Sequence, residues 1–98
     1  NAKIKLTKNS DSRSIYLNDF YKGYKDLDKS PDEIISTISF KLPTQDSHFN
    51  FEKVSKRIHL DIASVNTAIL ITISGNEITQ AHLSAGGVGP IPMYLSKT

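Results

Sequence analysis

The sequence predicts an α+β domain, a small antiparallel sheet accompanied by a few short helical turns. Three observations predict it. Apolar and polar residues alternate in several short runs, which is the period of a strand. The stretch from Ile62 to Ile73 is almost uncharged and rich in β-branched residues, and Gly75-Asn76 follows it as a two-residue hairpin turn. Helix-start residues occur, but the pattern behind them soon returns to a period of two.

From the N-terminus, Ala2 to Thr7 alternates Lys3 and Lys5 with Ile4 and Leu6, a half-buried strand. Asn9 to Ser12 is a polar tip, and Arg13 to Leu17 completes a hairpin. Asn18-Asp19 is read as the cap of a short helical turn through Phe20 and Tyr21 that Gly23 closes. Tyr24 to Lys29 is a charged connector. Ser30-Pro31-Asp32-Glu33 has the order of a helix start and predicts a single turn. A strand should then run to Pro43, with Ile34, Ser36, Ile38, Phe40 and Leu42 on one face. Thr44 to Asn50 reads as a loop, and Phe51 to Arg57 is ambiguous. Ile62 to Ile73 is the candidate central strand. Counted back from Gly75-Asn76, its partner Glu77 to Ala85 sets Leu70 opposite Ala81 and Ala68 opposite Leu83.

Composition narrows the function. A chain of 98 residues is one small domain. A domain of this size hides only roughly two-thirds of its unfolded surface, so a partner surface would stabilise it. The net charge of +2, without a dense basic block, disfavours nucleic acid as a partner. The absence of cysteine removes disulfides, thiolate metal sites and cysteine nucleophiles. No apolar run approaches the roughly 20 residues that span a bilayer, so no membrane is expected. No signal peptide opens the chain, and a cytoplasmic location is expected. Asn at position 1, and cap-type Ser96 and Thr98 with nothing after them, read as the ends of a fragment.

No self-contained catalytic constellation is visible. Gly86-Gly87-Val88-Gly89-Pro90 matches no phosphate-loop spacing, and its prolines lack donors, so it reads as a tight structural turn. His48, His59 and His82 share no ligand spacing, and no metal is assigned. Asp26, Asp28, Asp32 and Glu33 read as solvated turn residues. Lys53, Lys56 and Arg57 form the tightest basic cluster, with Asp61 following. It is either a solvated edge with a local Arg57–Asp61 pair or a place where one cation meets an anionic or electron-rich ligand.

Three stretches together resemble a known family. They are Phe51 to Arg57 followed by Asp61 to Asn66; Ser84 to Pro92; and Ile15 to Tyr24 followed by Glu33 to Ile38. Their order and spacing resemble the C-terminal domain of the FAD-binding (medium) subunit of molybdenum hydroxylases, the xanthine dehydrogenase and carbon monoxide dehydrogenase flavoproteins. The resemblance implies a small antiparallel sheet with helices packed on one side, the chain stopping before the last helices. It implies that residues 1–17 are the tail of a preceding FAD-binding domain and residues 18–98 the C-terminal domain. It further implies an oxidoreductase part, not catalytic alone, that helps position FAD held mostly by the upstream domain. Molybdopterin and 2Fe-2S clusters would sit in partner subunits or domains, and NAD or another acceptor would take the electrons. Lys53 matches a family lysine that lies against the FAD, and Ile35 an apolar position that touches it. Lys25-Asp26-Leu27 departs from the Arg-Lys-Thr common in the family, so nothing is carried over there, and Gly89 is often Ala in relatives. The alternative is a stand-alone protein-interaction module with the hairpin after Ile62 as its partner surface.

Overall fold

A computed structural model describes residues 2–97. The chain divides into two compact units, Asn1–Leu42 and Pro43–Thr98, each described by itself.

In the first unit, β1 (Lys3–Lys8), β2 (Asp11–Tyr16) and β5 (Ile34–Ser39) form an antiparallel sheet in the order β2-β1-β5. β1 pairs on both edges, and its alternation sends Ile4 and Leu6 to one face and Lys3 and Lys5 to the other. Ile4, Leu6 and Phe20 are buried together, with Ile15 and Tyr21 against them. The hairpin tip is as expected, and Asn9 takes φ 53, which Asn tolerates better than most residues.

Three local expectations change in this unit. The helical turn is α1 (Leu17–Phe20), capped by Tyr16 without a side-chain bond and ended at Tyr21. Asn18-Asp19 does not cap it because β2 runs straight into it, and the Leu17 N–H donates to the Ala2 carbonyl at 2.8 Å. The connector holds a small ribbon, β3 (Tyr21–Gly23) with β4 (Asp26–Leu27), so Gly23 lies in a strand. β5 stops at Ser39 and does not keep one phase. Thr37 stands opposite Lys5 but Ile35 opposite Leu6, leaving Ser36 as a bulge. Its hydroxyl donates to the Lys5 carbonyl at 3.2 Å and shares a 2.8 Å hydrogen bond with Thr7. Ile35 and Ile38 therefore both face the apolar side of β1.

The predicted turn at Ser30 is present. The Glu33 N–H donates to the Ser30 carbonyl at 3.1 Å, and the Glu33 carboxylate accepts the Ser30 N–H at 2.8 Å. Asp28 and Glu33, however, are not merely solvated. Arg13 grips Glu33 through Nε and Nη2 (2.7 and 2.9 Å) and Asp28 through Nη1 (2.9 Å). The Arg13 bonds, then the Ser30 N–H, hold the Glu33 carboxyl down to about 2. Asp28 is also lowered, first by Arg13.

In the second unit, β6 (Ser47–Val54), β7 (Val65–Ser74), β8 (Glu77–Gly86) and β9 (Met93–Tyr94) form an antiparallel meander in that order. β7 is a central strand, as its two apolar faces predict, although it begins at Val65 and not Ile62. β6 covers Ser47–Val54, where the sequence predicts a loop to Asn50. Full-length pairing with β7 overrides those weak local signals.

Gly75 opens the hairpin turn at φ 61. The register then differs by one from the count. Leu70 stands opposite His82 and Ile69 opposite Leu83. The cause is a bulge. Ile73 pairs with Ile78 and Thr72 with Gln80, which leaves Thr79 unpaired, its hydroxyl on the Thr72 carbonyl at 3.1 Å. Leu83 and Ala81 consequently share a face with Ile69 and Ile71.

The expected antiparallel sheets are present. The expected helical layer is not: among the described residues the one helix is the four-residue α1. Among them, too, no helix is long and apolar enough to cross a membrane.

Candidate functional site

β6 delivers Lys53 one residue before its end, opposite Asn66 of β7. Alternation puts Phe51 on the same face, and Gly86 of β8 lies on the far side of Asn66. Beyond Val54 the chain leaves the sheet in a loop that closes when the Ser64 N–H donates to the Val54 carbonyl at 2.8 Å.

Asp61 organises this loop. Its Oδ2 accepts the Arg57 backbone N–H at 3.0 Å, and its Oδ1 accepts its neighbour Ile62 N–H at 3.1 Å. The Arg57 guanidinium reaches the same carboxylate at 3.3 Å and the Leu60 carbonyl at 3.3 Å. The Asp61 carbonyl accepts a bond from the Lys53 ammonium at 2.7 Å. The expected Arg57–Asp61 pair is thus present, and Lys53 is tied to the same loop. Around it Ile58, Leu60 and Ile62 are 91%, 98% and 87% exposed, with Leu60 at φ 50.

The glycine segment packs on the base of this loop. A Cβ on Gly86 would lie 2.7 Å from the Asn66 side-chain nitrogen, and one on Gly87 would lie 2.5 Å from the Ser64 carbonyl oxygen. Gly87 also has φ 83, so two independent demands require glycine there. The two stretches of strongest resemblance, the loop after Lys53 and the Gly-Gly turn, are therefore neighbours in space.

Ile35, the other predicted site residue, lies in the first unit on β5 and is 45% exposed. His82 lies on the face of β8 that carries Gln80 and Ser84, as expected, and its Nδ1 shares a 2.8 Å hydrogen bond with the Tyr94 hydroxyl. Among the described residues no group of three His, Asp or Glu could hold a metal ion.

Comparison with known proteins decides the family. The CO dehydrogenase flavoprotein C-terminal domain matches residues 50–98, which include the Lys53 loop and the Gly-Gly turn. The chain belongs to this family. It is 36% identical over 81 residues to the xanthine dehydrogenase of Emericella nidulans, a match covering 79% of this chain and 6% of that protein. It is 35% identical over 92 residues to the glyceraldehyde dehydrogenase medium chain of Sulfolobus acidocaldarius, covering 94% of this chain and 32% of the relative. Among solved structures, reconstituted CO dehydrogenase from Oligotropha carboxidovorans matches with a TM-score of 0.87 at 25% identity, over 95% of this chain and 32% of that one. The chain spans about a third or less of these relatives. It is homologous to a domain of dehydrogenase enzymes.

The sequence singles out Lys53 by its type and place and foretells the Arg57–Asp61 pair, but not the bond from Lys53 to the Asp61 carbonyl. Side-chain types foretell an ion pair four residues apart. A bond to a backbone oxygen depends on how the loop folds.

Proposed function

We propose that this chain is part of the FAD subunit of a xanthine dehydrogenase-like molybdenum hydroxylase and helps to position the FAD. In that reading the upstream FAD-binding domain holds most of the cofactor. Residues 1–17 are the tail of that domain and residues 18–98 the C-terminal domain. Molybdopterin and 2Fe-2S clusters belong to partner subunits or domains. FAD, when bound, would supply the electron transfer between the iron–sulfur clusters and NAD or another acceptor.

The observation that carries the reading is the state of Lys53. An ammonium has three donors, and the Asp61 carbonyl takes one of them at 2.7 Å. Two remain for an acceptor beyond the exposed face of β6. A fixed cation with donors to spare, beside the apolar Phe51, fits a flat ring whose reduced form gathers negative charge. Ile35 supplies a half-exposed apolar side chain of the kind that covers such a ring. Lys53 and Ile35 are accordingly proposed to touch the FAD.

The test is Lys53→Met in the full-length flavoprotein. Loss of one nearby cation lowers the flavin midpoint potential, by an amount on the order of tens of millivolts. The rate of acceptor reduction changes with it. An unchanged potential together with an unchanged rate would end the assignment of Lys53.

A further inference from the structure

We infer that Asp61 is a positioning residue that sets where the Lys53 ammonium stands; this rests on the reading that Lys53 faces the flavin. Asp61 reaches the cation through its backbone and not through its charge, because the acceptor is the Asp61 carbonyl at 2.7 Å. What the carboxylate does is fix that carbonyl in space. It binds the backbone N–H and the guanidinium of Arg57, before the carbonyl in the chain, and the N–H of Ile62 after it. The Asp61 side chain is only 16% exposed while that of Arg57 is 71% exposed, so the carboxylate is the sheltered centre of the loop.

The loop needs such a centre. Leu60, immediately before Asp61, sits in the left-handed region at φ 50, which is strained for a residue with a side chain. Ile58, Leu60 and Ile62 are exposed and supply little packing of their own. The bonds to Asp61 and the Leu60 carbonyl's bond from Arg57 offset that strain. Without the carboxylate the strained turn relaxes, the carbonyl swings away, and Lys53 loses its acceptor.

The experiment is a double-mutant cycle in the full-length flavoprotein with Lys53→Met, Asp61→Ala and the pair. Two readouts are taken: the flavin midpoint potential and the rate at which Lys53 is acylated, followed by mass spectrometry. Asp61→Ala is expected to raise the acylation rate severalfold as the ammonium is released. Lys53→Met is expected to lower the potential in the native background and to lose most of that effect beside Asp61→Ala. A purely electrostatic role for each residue would give additive shifts, since two independent charges act on the flavin independently. Additive shifts, or an unchanged acylation rate, overturn the positioning role. If Lys53→Met alone leaves the potential unchanged, the flavin reading falls, and acylation then decides the Asp61–Lys53 link by itself. Asp61→Asn keeps an oxygen at Oδ1 and should give an intermediate acylation rate. It also serves if Asp61→Ala does not fold, with an acylation rate equal to the native one again overturning the role.

Discussion

The unit Asn1–Leu42 closes around three buried side chains, Ile4, Leu6 and Phe20, whereas in the unit Pro43–Thr98 Ala85 alone among the described residues is buried. The smaller unit combines a side-chain core with a grip of ion pairs from Arg13. The larger one combines two ten-residue strands, paired along their length except at the Thr79 bulge, with a backbone contact at Gly87 so close that only glycine fits. The difference teaches where each unit is vulnerable. A core fails when a side chain is cut. A ladder tolerates such cuts and fails when its backbone is displaced. The larger unit leaves Phe49, Phe51 and Val54 exposed on β6 and Ile78 on β8, and the smaller one leaves Ile34, Ile38 and Phe40 exposed, so each would gain from a surface laid over it.

The sharpest way to break this contrast is Leu6→Ala. Leu6 is 0% exposed at the centre of the small core, so truncation removes its contacts and leaves a cavity. The expected cost is about 2–5 kcal/mol, seen as lost hydrogen-exchange protection across β1, β2 and β5 with β7 and β8 unaffected. Comparable loss in β7 and β8 would mean that the two units do not respond separately.

The next largest effect belongs to the backbone side of the comparison. Gly87→Ala puts a methyl group 2.5 Å from the Ser64 carbonyl oxygen at a residue with φ 83. Gly75→Ala meets nothing within 4 Å and only the left-handed conformation at φ 61. Gly75→Ala should therefore cost roughly 1–2 kcal/mol and Gly87→Ala distinctly more. Thermal melting of the two variants side by side measures the gap. Equal costs would show that the close approach at Ser64 relaxes without penalty.

The same division explains what could be read in advance. The first hairpin, the central strand and the turn at Gly75 were legible because alternation and turn chemistry are local. The bulges at Ser36 and Thr79 were not. Each is one extra residue accommodated by a side-chain hydroxyl, and nothing in the composition of either strand marks it. Their effect is not small: each changes which apolar residues share a face. At the candidate site Lys53, the Arg57–Asp61 pair and the glycine turn were legible as residue types in an order. Their adjacency was not, because the Gly87–Ser64 contact joins parts of the chain 23 residues apart through backbone alone. Asp28 and Glu33 read as solvated for the same reason: the arginine that holds them comes from another strand, 15 and 20 residues away.

That arginine provides the smallest and most selective test of the contrast. Glu33 has its carboxyl pulled from an ordinary 4.5 to about 2, chiefly by its bonds to Arg13. A carboxyl lowered in the folded state stabilises the fold fully above its unfolded value. That contribution fades as the pH falls from 4.5 towards about 2. Asp28 is shifted in the same direction by the same guanidinium and adds to the effect. Arg13 itself is raised and stays charged throughout, so it contributes no pH dependence of its own. A carboxyl titration followed by NMR should place the Glu33 midpoint near 2, and Arg13→Met should return it towards 4.5 while flattening the acid limb of stability in the first unit alone. The Ser30 N–H still reaches the carboxylate in that variant, so the return should be incomplete. A Glu33 midpoint that ignores Arg13→Met would remove the ion pairs from the account of how the smaller unit holds together and leave its core to act alone.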